Sequence, residues 1–110
     1  MKKLNFKKLD EISSGNEEFK RKMVVLFKTT SLDALEALQQ ALAKEDLYEM
    51  ARIAHRMKPS VVALDLKEMQ NDITFLEREG INLDQARQSV ESIRLEIYDT
   101  ILAIDALEWQ

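Results

Sequence analysis

His55 and Lys58, three positions apart, are the residues of this chain whose types and spacing could do chemistry. They lie in the stretch AHRMKPS, residues 54–60, which holds the only histidine and the only proline, Pro59. On a helix a spacing of three is about one turn, so Lys58 shares the side of His55, and Arg52 lies a turn earlier. At about 100° per residue, Tyr48, Ala51, Pro59 and Val62 all fall within about 40° of His55. An imidazole flanked by two cations and rimmed by small or apolar groups suits transient docking of a protein that brings an anion to the ring. Two plainer readings use the same residues. In one the histidine is buried and satisfied; in the other it decorates the surface, Lys58 and Arg52 are solvated charges, and Val62 rims the core. The helical wheel weighs against burial. Leu47, Met50, Ile53, Ala54, Met57, Val61 and Leu64 form an apolar arc whose centre lies about 130° from His55.

Pro59 sets a second constraint. Proline lacks the amide proton that would bond the carbonyl four residues back, which here is the carbonyl of His55, and its ring crowds that carbonyl. Either the helix ends at Met57 and restarts with Pro59 in its first position, or it continues through a bend. The apolar arc keeps phase through Val61 and Leu64, which predicts the bent, continuous helix.

The elements that must hold these residues are legible from periodicity. Apolar residues recur at spacings of three and four along all 110 positions, and two glycines leave little room for hairpins. Asn5 is the predicted cap of a short helix ending near Ser13, with Phe6, Leu9 and Ile12 on one side and Gly15 as its stop. Asn16 caps a second helix through about Ala43. Phe19, Met23, Leu26, Phe27, Ala34, Leu38 and Leu42 form its stripe, and Thr29, Thr30 and Ser31 are tolerated within it. Asp46 caps the helix that carries His55 and runs to about Leu64. Asp65-Leu-Lys-Glu68 resembles a capping box. It opens a helix bearing Leu66, Met69, Ile73 and Leu76 that ends at Gly80. Asn82 or Asp84 opens the last helix, with Ala86, Val90, Ile93, Ile97, Ile101, Ile104 and Leu107 inward. Tyr98 and Trp109 read as packing residues. The expected fold is all-α: an antiparallel four-helix bundle with a short additional N-terminal helix, in one domain over residues 1–110.

Composition narrows the function classes. Hydrophobic residues make up 45% and charged residues 33%, which suits a folded domain. A net charge of −4 with interspersed signs does not favour nucleic-acid backbones. No apolar run approaches the roughly 20 residues of a membrane span, and MKKLNF lacks the apolar stretch of a signal peptide. The absence of cysteine excludes disulfides and thiolate zinc sites and fits a reducing cytoplasm, the expected location. A single histidine rules out an imidazole-rich metal site, and no metal or cofactor of the chain's own is expected.

On a helix placed in this way, AHRMKPS resembles the signature of histidine phosphotransfer (HPt) domains of multistep two-component phosphorelays. That signature reads Ala-His-x-Leu-Lys-Gly-Ser, followed by a short apolar stretch, a Gly-Ala turn and a helix ending in Leu-Glu. Ala54, His55, Met57, Lys58 and Ser60 take the first positions, and Met69, Ile73, Leu76 and Glu77 match the later helix. The approach segment, from FKRKMVVLF to YEMARIAH, is similar as well. Two departures stand out: Pro59 replaces the glycine after the lysine, and Asp65-Leu66 replaces Gly-Ala.

The resemblance implies that His55 accepts a phosphoryl group from a receiver-domain aspartyl phosphate and passes it to another receiver aspartate. Lys58 would stabilise the phosphoryl oxygens, and Tyr48, Ala51, Arg52, Pro59 and Val62 would form the docking surface. Ser60, about 140° from His55, would have a structural role. The implied partners are response-regulator receiver domains, those of hybrid histidine kinases included, with magnesium on the receiver. No Gly-rich nucleotide loop or kinase signature is present, so the chain reads as a phosphocarrier without ATP-dependent kinase activity. The competing reading is a non-catalytic helical interaction module in which AHxxK is coincidental.

Overall fold

A computed structural model describes residues 4–107 of the chain, and Trp109 lies outside them. Five helices follow one another: α1 (Lys7–Ser13), α2 (Glu17–Ala43), α3 (Leu47–Ala63), α4 (Lys67–Leu76) and α5 (Leu83–Asp105). The last four pack in a ring, α2 against α3, α3 against α4, α4 against α5 and α5 against α2, while α1 lies across α2 and α3. This is the bundle with a short leading helix that the periodicity predicts. At 1.5 Å per residue the 27 residues of α2 span about 40 Å and account for the 44 Å long axis.

Polar side chains start three of the helices as expected. Asn16 accepts from the Phe19 amide, Asp46 from the Glu49 amide, and Asn82 from the Gln85 amide. The Gln85 side chain returns a bond to the Asn82 amide, which completes a capping box and settles the start of α5 on Asn82. At α1, Asn5 Oδ1 accepts from the Lys7 amide two residues on, so it makes a turn just ahead of the helix instead of capping its first turn.

The predicted capping box at Asp65 does not form. Asp65 has φ 53° and ends α3, with its amide bonded to the Val62 carbonyl at 3.0 Å and the Leu66 amide bonded to Val61 at 3.1 Å. These two bonds are a Schellman ending, and Glu45 closes α2 by the same pattern at φ 57°. An aspartate in the left-handed region is uncommon but tolerated, because its short side chain can be held locally. Here Asn5 Nδ2 donates to Asp65 Oδ2 at 3.2 Å, and Lys8 Nζ lies 3.5 Å from Oδ1, so α1 fastens the α3–α4 turn. Helix α4 stops at Leu76, four residues before Gly80, where the Arg78 amide takes up a tighter bond to Phe75.

The core is built from the inner faces of all five helices. In α3, Met50, Ile53, Ala54, Met57 and Val61 are buried, as is Leu64 at its end, matching the predicted arc, and each large one contributes roughly 2 kcal/mol by leaving water. The helix runs through Pro59 without ending at Met57. An interior proline costs about 3 kcal/mol, and burial on both sides of it, at Met57 and Val61, offsets that cost. The α2 stripe differs from expectation. Val24, Phe27, Ser31, Leu35, Leu38 and Ala41 face inward, whereas Phe19 and Leu26 are exposed. Because α2 touches α1, α3 and α5, its buried arc is set by three neighbours, and one helix's own apolar count locates it poorly. Ile12 also faces out, and Tyr98 is exposed with the Arg94 guanidinium 5.8 Å over its ring.

Across the α4–α5 seam the Ser92 hydroxyl donates to Asp72 at 2.6 Å. Partial burial holds the Asp72 carboxyl above its usual 3.8; the Ser92 bond opposes this and the Glu96 charge adds to it. The folded chain therefore binds this proton more tightly than the unfolded chain, and stability falls as pH rises through the region just above 3.8. Asp72→Asn keeps an acceptor for Ser92 and removes the desolvated charge. Thermal melts should show the variant more stable by roughly 1–3 °C near neutral pH, with the gap closing as pH is lowered toward the carboxylate range.

Candidate functional site

The periodicity that buries Ala54 and Met57 turns His55 outward, and its side chain is 72% exposed. That removes the reading of a buried, satisfied histidine. Lys58 lies one turn on, as the spacing requires, half-exposed on the same side of α3.

The third member of the group comes from another helix. Glu77 directly follows Leu76, the last buried residue of α4, and its carboxylate leans back onto α3. The hairpin geometry explains why. From the turn at Asp65, the ten residues of α4 run back about 15 Å, the distance from that turn to His55 along α3. Met69, Ile73 and Leu76 are buried and fix the rotation of α4, which leaves Glu77 on the seam. Its Oε2 lies 3.5 Å from His55 Nδ1 and accepts a hydrogen bond from Lys58 Nζ at 3.2 Å. Lys58 Nζ is also 3.1 Å from Oε1, but only the Oε2 contact has hydrogen-bond geometry, so Oε1 is a charge screened by Lys58 without an aligned donor. The Glu77 side chain is largely shielded, at 25% exposure.

This geometry has chemical content. A carboxylate beside Nδ1 favours the tautomer with the proton there, which leaves a lone pair on Nε2, the ring nitrogen facing away from Glu77. Lys58 is held a short side-chain movement from the ring, available to an anion arriving from solvent. Among the described residues no group of three or more His, Cys, Asp or Glu is placed to hold a metal ion.

The expected docking residues divide. Tyr48 is 76% exposed, Val62 is 38% exposed, Pro59 is exposed and Ala51 half-buried, so the four form an open strip along α3 with His55 at its middle. Arg52 is on the same side, but its guanidinium is paired with Glu49 at 3.0 Å and is not directed at the ring. Ser60 points elsewhere, its hydroxyl donating to the Met57 carbonyl at 3.1 Å.

Two features go beyond the residues singled out from sequence. Glu77 was visible only as the last residue of a helix-ending pattern; its role depends on how α4 folds back, which local spacing does not reveal. The other is an apolar groove of about 630 Å³ between α1, α2 and α3. Ile12 and Leu26 wall it on one side, Phe27 and Ile53 floor it, and Arg56 and Pro59, neighbours of His55, form its rim. Periodicity places Ile12 and Leu26 on the inner stripes of their helices, and only the packing of α1 and α2 turns them outward to wall the groove.

Compared with known protein families, the chain matches the Hpt domain over residues 22–107, from the second turn of α2 to two residues past α5. No significant match to a curated protein or a solved structure accompanies it. The match takes in the histidine, the lysine, the glutamate and all four helices of the ring while leaving out α1, and the chain therefore belongs to the Hpt domain family, whose members carry out histidine phosphotransfer in phosphorelays.

Proposed function

We propose that this protein is a phosphocarrier in which His55 accepts a phosphoryl group from a receiver-domain aspartyl phosphate and passes it to a second receiver aspartate. The observation that supports this most directly is a carboxylate 3.5 Å from Nδ1 of a histidine whose side chain is 72% exposed.

The reaction follows from that pairing. The Nε2 lone pair attacks the phosphorus of the acyl phosphate, an N–P bond forms, and the P–O bond to the aspartyl oxygen breaks with its electron pair leaving on the carboxylate. The proton on Nδ1 stays in place. The ring becomes cationic as the N–P bond forms, and the Glu77 carboxylate lies where that charge develops. Lys58 exchanges part of its contact with Glu77 for the phosphoryl oxygens, which it meets as a compact ammonium. The reverse sequence delivers the group to the next receiver. Magnesium belongs to the receiver's acidic site, and the chain's own residues supply the nucleophile, the tautomer and the cation.

Docking uses the strip of Tyr48, Ala51, Pro59 and Val62 together with the adjoining groove rim, since a receiver whose aspartate reaches His55 covers these residues. The strip sets small or apolar groups on either side of His55, with charged residues at its edge. A non-catalytic helical module would bind a partner through the same apolar groups, but that binding would tolerate loss of His55 and ignore phosphorylation.

Incubation with a receiver charged by acetyl phosphate and magnesium should give an acid-labile label on the parent protein and none on His55→Gln; equal labelling of both contradicts the assignment. Lys58→Ala should retain its helical spectrum and slow transfer by about tenfold to a hundredfold, measured by rapid quench. In Glu77→Ala, nitrogen NMR of the neutral imidazole should show loss of the Nδ1–H preference, with slower transfer. Because Val62 is exposed, Val62→Asp should weaken receiver binding with little change in Tm.

A further inference from the structure

The signature that AHRMKPS resembles has glycine after the lysine; this chain has Pro59 there, a poor choice for the interior of a helix. Local rules are broken most often where function requires it. The chemical consequence falls on one atom. The amide that would bond the His55 carbonyl is that of residue 59, and proline has no N–H to offer. The two nearest side-chain donors are committed elsewhere: the Ser60 hydroxyl to the Met57 carbonyl at 3.1 Å, and Lys58 Nζ to Glu77. The carbonyl lies on the side of α3 shared by His55 and Pro59, about 40° apart on the helix. That side is open, since Pro59 is exposed and the His55 side chain is 72% exposed. Without its partner amide, a carbonyl on the solvent side of a helix tilts outward.

We propose that Pro59 makes the main-chain carbonyl of His55 a recognition point, an acceptor that takes an N–H or O–H donor from the docking receiver beside the phosphoryl-accepting ring. This rests on the phosphocarrier reading above. A receiver that seats its aspartyl phosphate at Nε2 brings its surface over the same turn of α3, and a donor there pairs with an acceptor that any residue other than proline at position 59 would engage inside the helix. Pro59 is thus a specificity-determining residue: it favours receivers that carry such a donor and disfavours those that would leave the carbonyl desolvated and unpaired.

The test compares Pro59→Ala and Pro59→Gly, both of which restore the amide, with the parent in transfer from one receiver. That receiver is the one which, charged with acetyl phosphate and magnesium, labels the parent fastest. Both variants should raise KM for the charged receiver about threefold to tenfold with kcat little changed, while Pro59→Ala raises Tm. A semisynthetic protein with N-methylalanine at position 59, which also lacks the N–H, should keep the parent KM. An unchanged KM in both the Ala and Gly variants overturns the proposal, as does a raised KM in the N-methylalanine protein, which would assign the effect to ring shape. If no receiver labels the parent, the phosphocarrier reading fails and this proposal falls with it; labelling of the parent with an unchanged variant KM rejects this proposal alone.

Discussion

An α-helix cannot bury Ala54 and Met57 without turning the residue after Ala54 away from the core, and the rest of the site depends on that constraint. Met50, Ile53, Ala54, Met57 and Val61 lock the rotation of α3 by their burial. His55 therefore needs no loop or lid to reach solvent. Its exposure is a by-product of packing, and it is as stable as the bundle. The same rotation sets Lys58 beside the ring and leaves Val62 and Tyr48 along one open strip.

The second helix of the hairpin gives the exposed histidine a carboxylate partner. Glu77 stands where α4 runs out of buried residues, and it meets both Nδ1 of His55 and the ammonium of Lys58. The position of that carboxylate depends on the length of α4, on the turn at Asp65 and on the burial of Met69, Ile73 and Leu76. It also depends on α1, since Asn5 and Lys8 hold Asp65 in a left-handed conformation that glycine would adopt unaided. An element outside the family match thus supports the turn at which this chain departs from the family pattern.

Much of this was legible in the sequence because it depends on short-range rules. The 3.6-residue period gave the helices, Asn16, Asp46 and Asn82 gave their starts, and the α3 wheel gave the outward histidine. The misreadings share a physical cause. At Asp65 the expected cap competed with a helix ending, and the ending prevailed because contacts from Asn5 and Lys8, some 60 residues away, stabilise it. On α2 the stripe shifted because three neighbours divide the helix surface between them. Glu77 escaped notice as a site residue because its meeting with His55 is a tertiary contact between helices. Arg52 lies on the His55 side of α3, as its spacing predicts, with its guanidinium paired to Glu49.

The central claim is that the Nδ1 proton is held beside Glu77 and that Nε2 receives the phosphoryl group. Phosphorus–nitrogen coupling in the phosphorylated protein, with the histidine ring labelled in nitrogen-15, tests it most directly. The account predicts one phosphorus signal coupled to Nε2 of His55, with the proton remaining on Nδ1. Coupling to Nδ1, or a phosphorus signal with no histidine coupling, would contradict it.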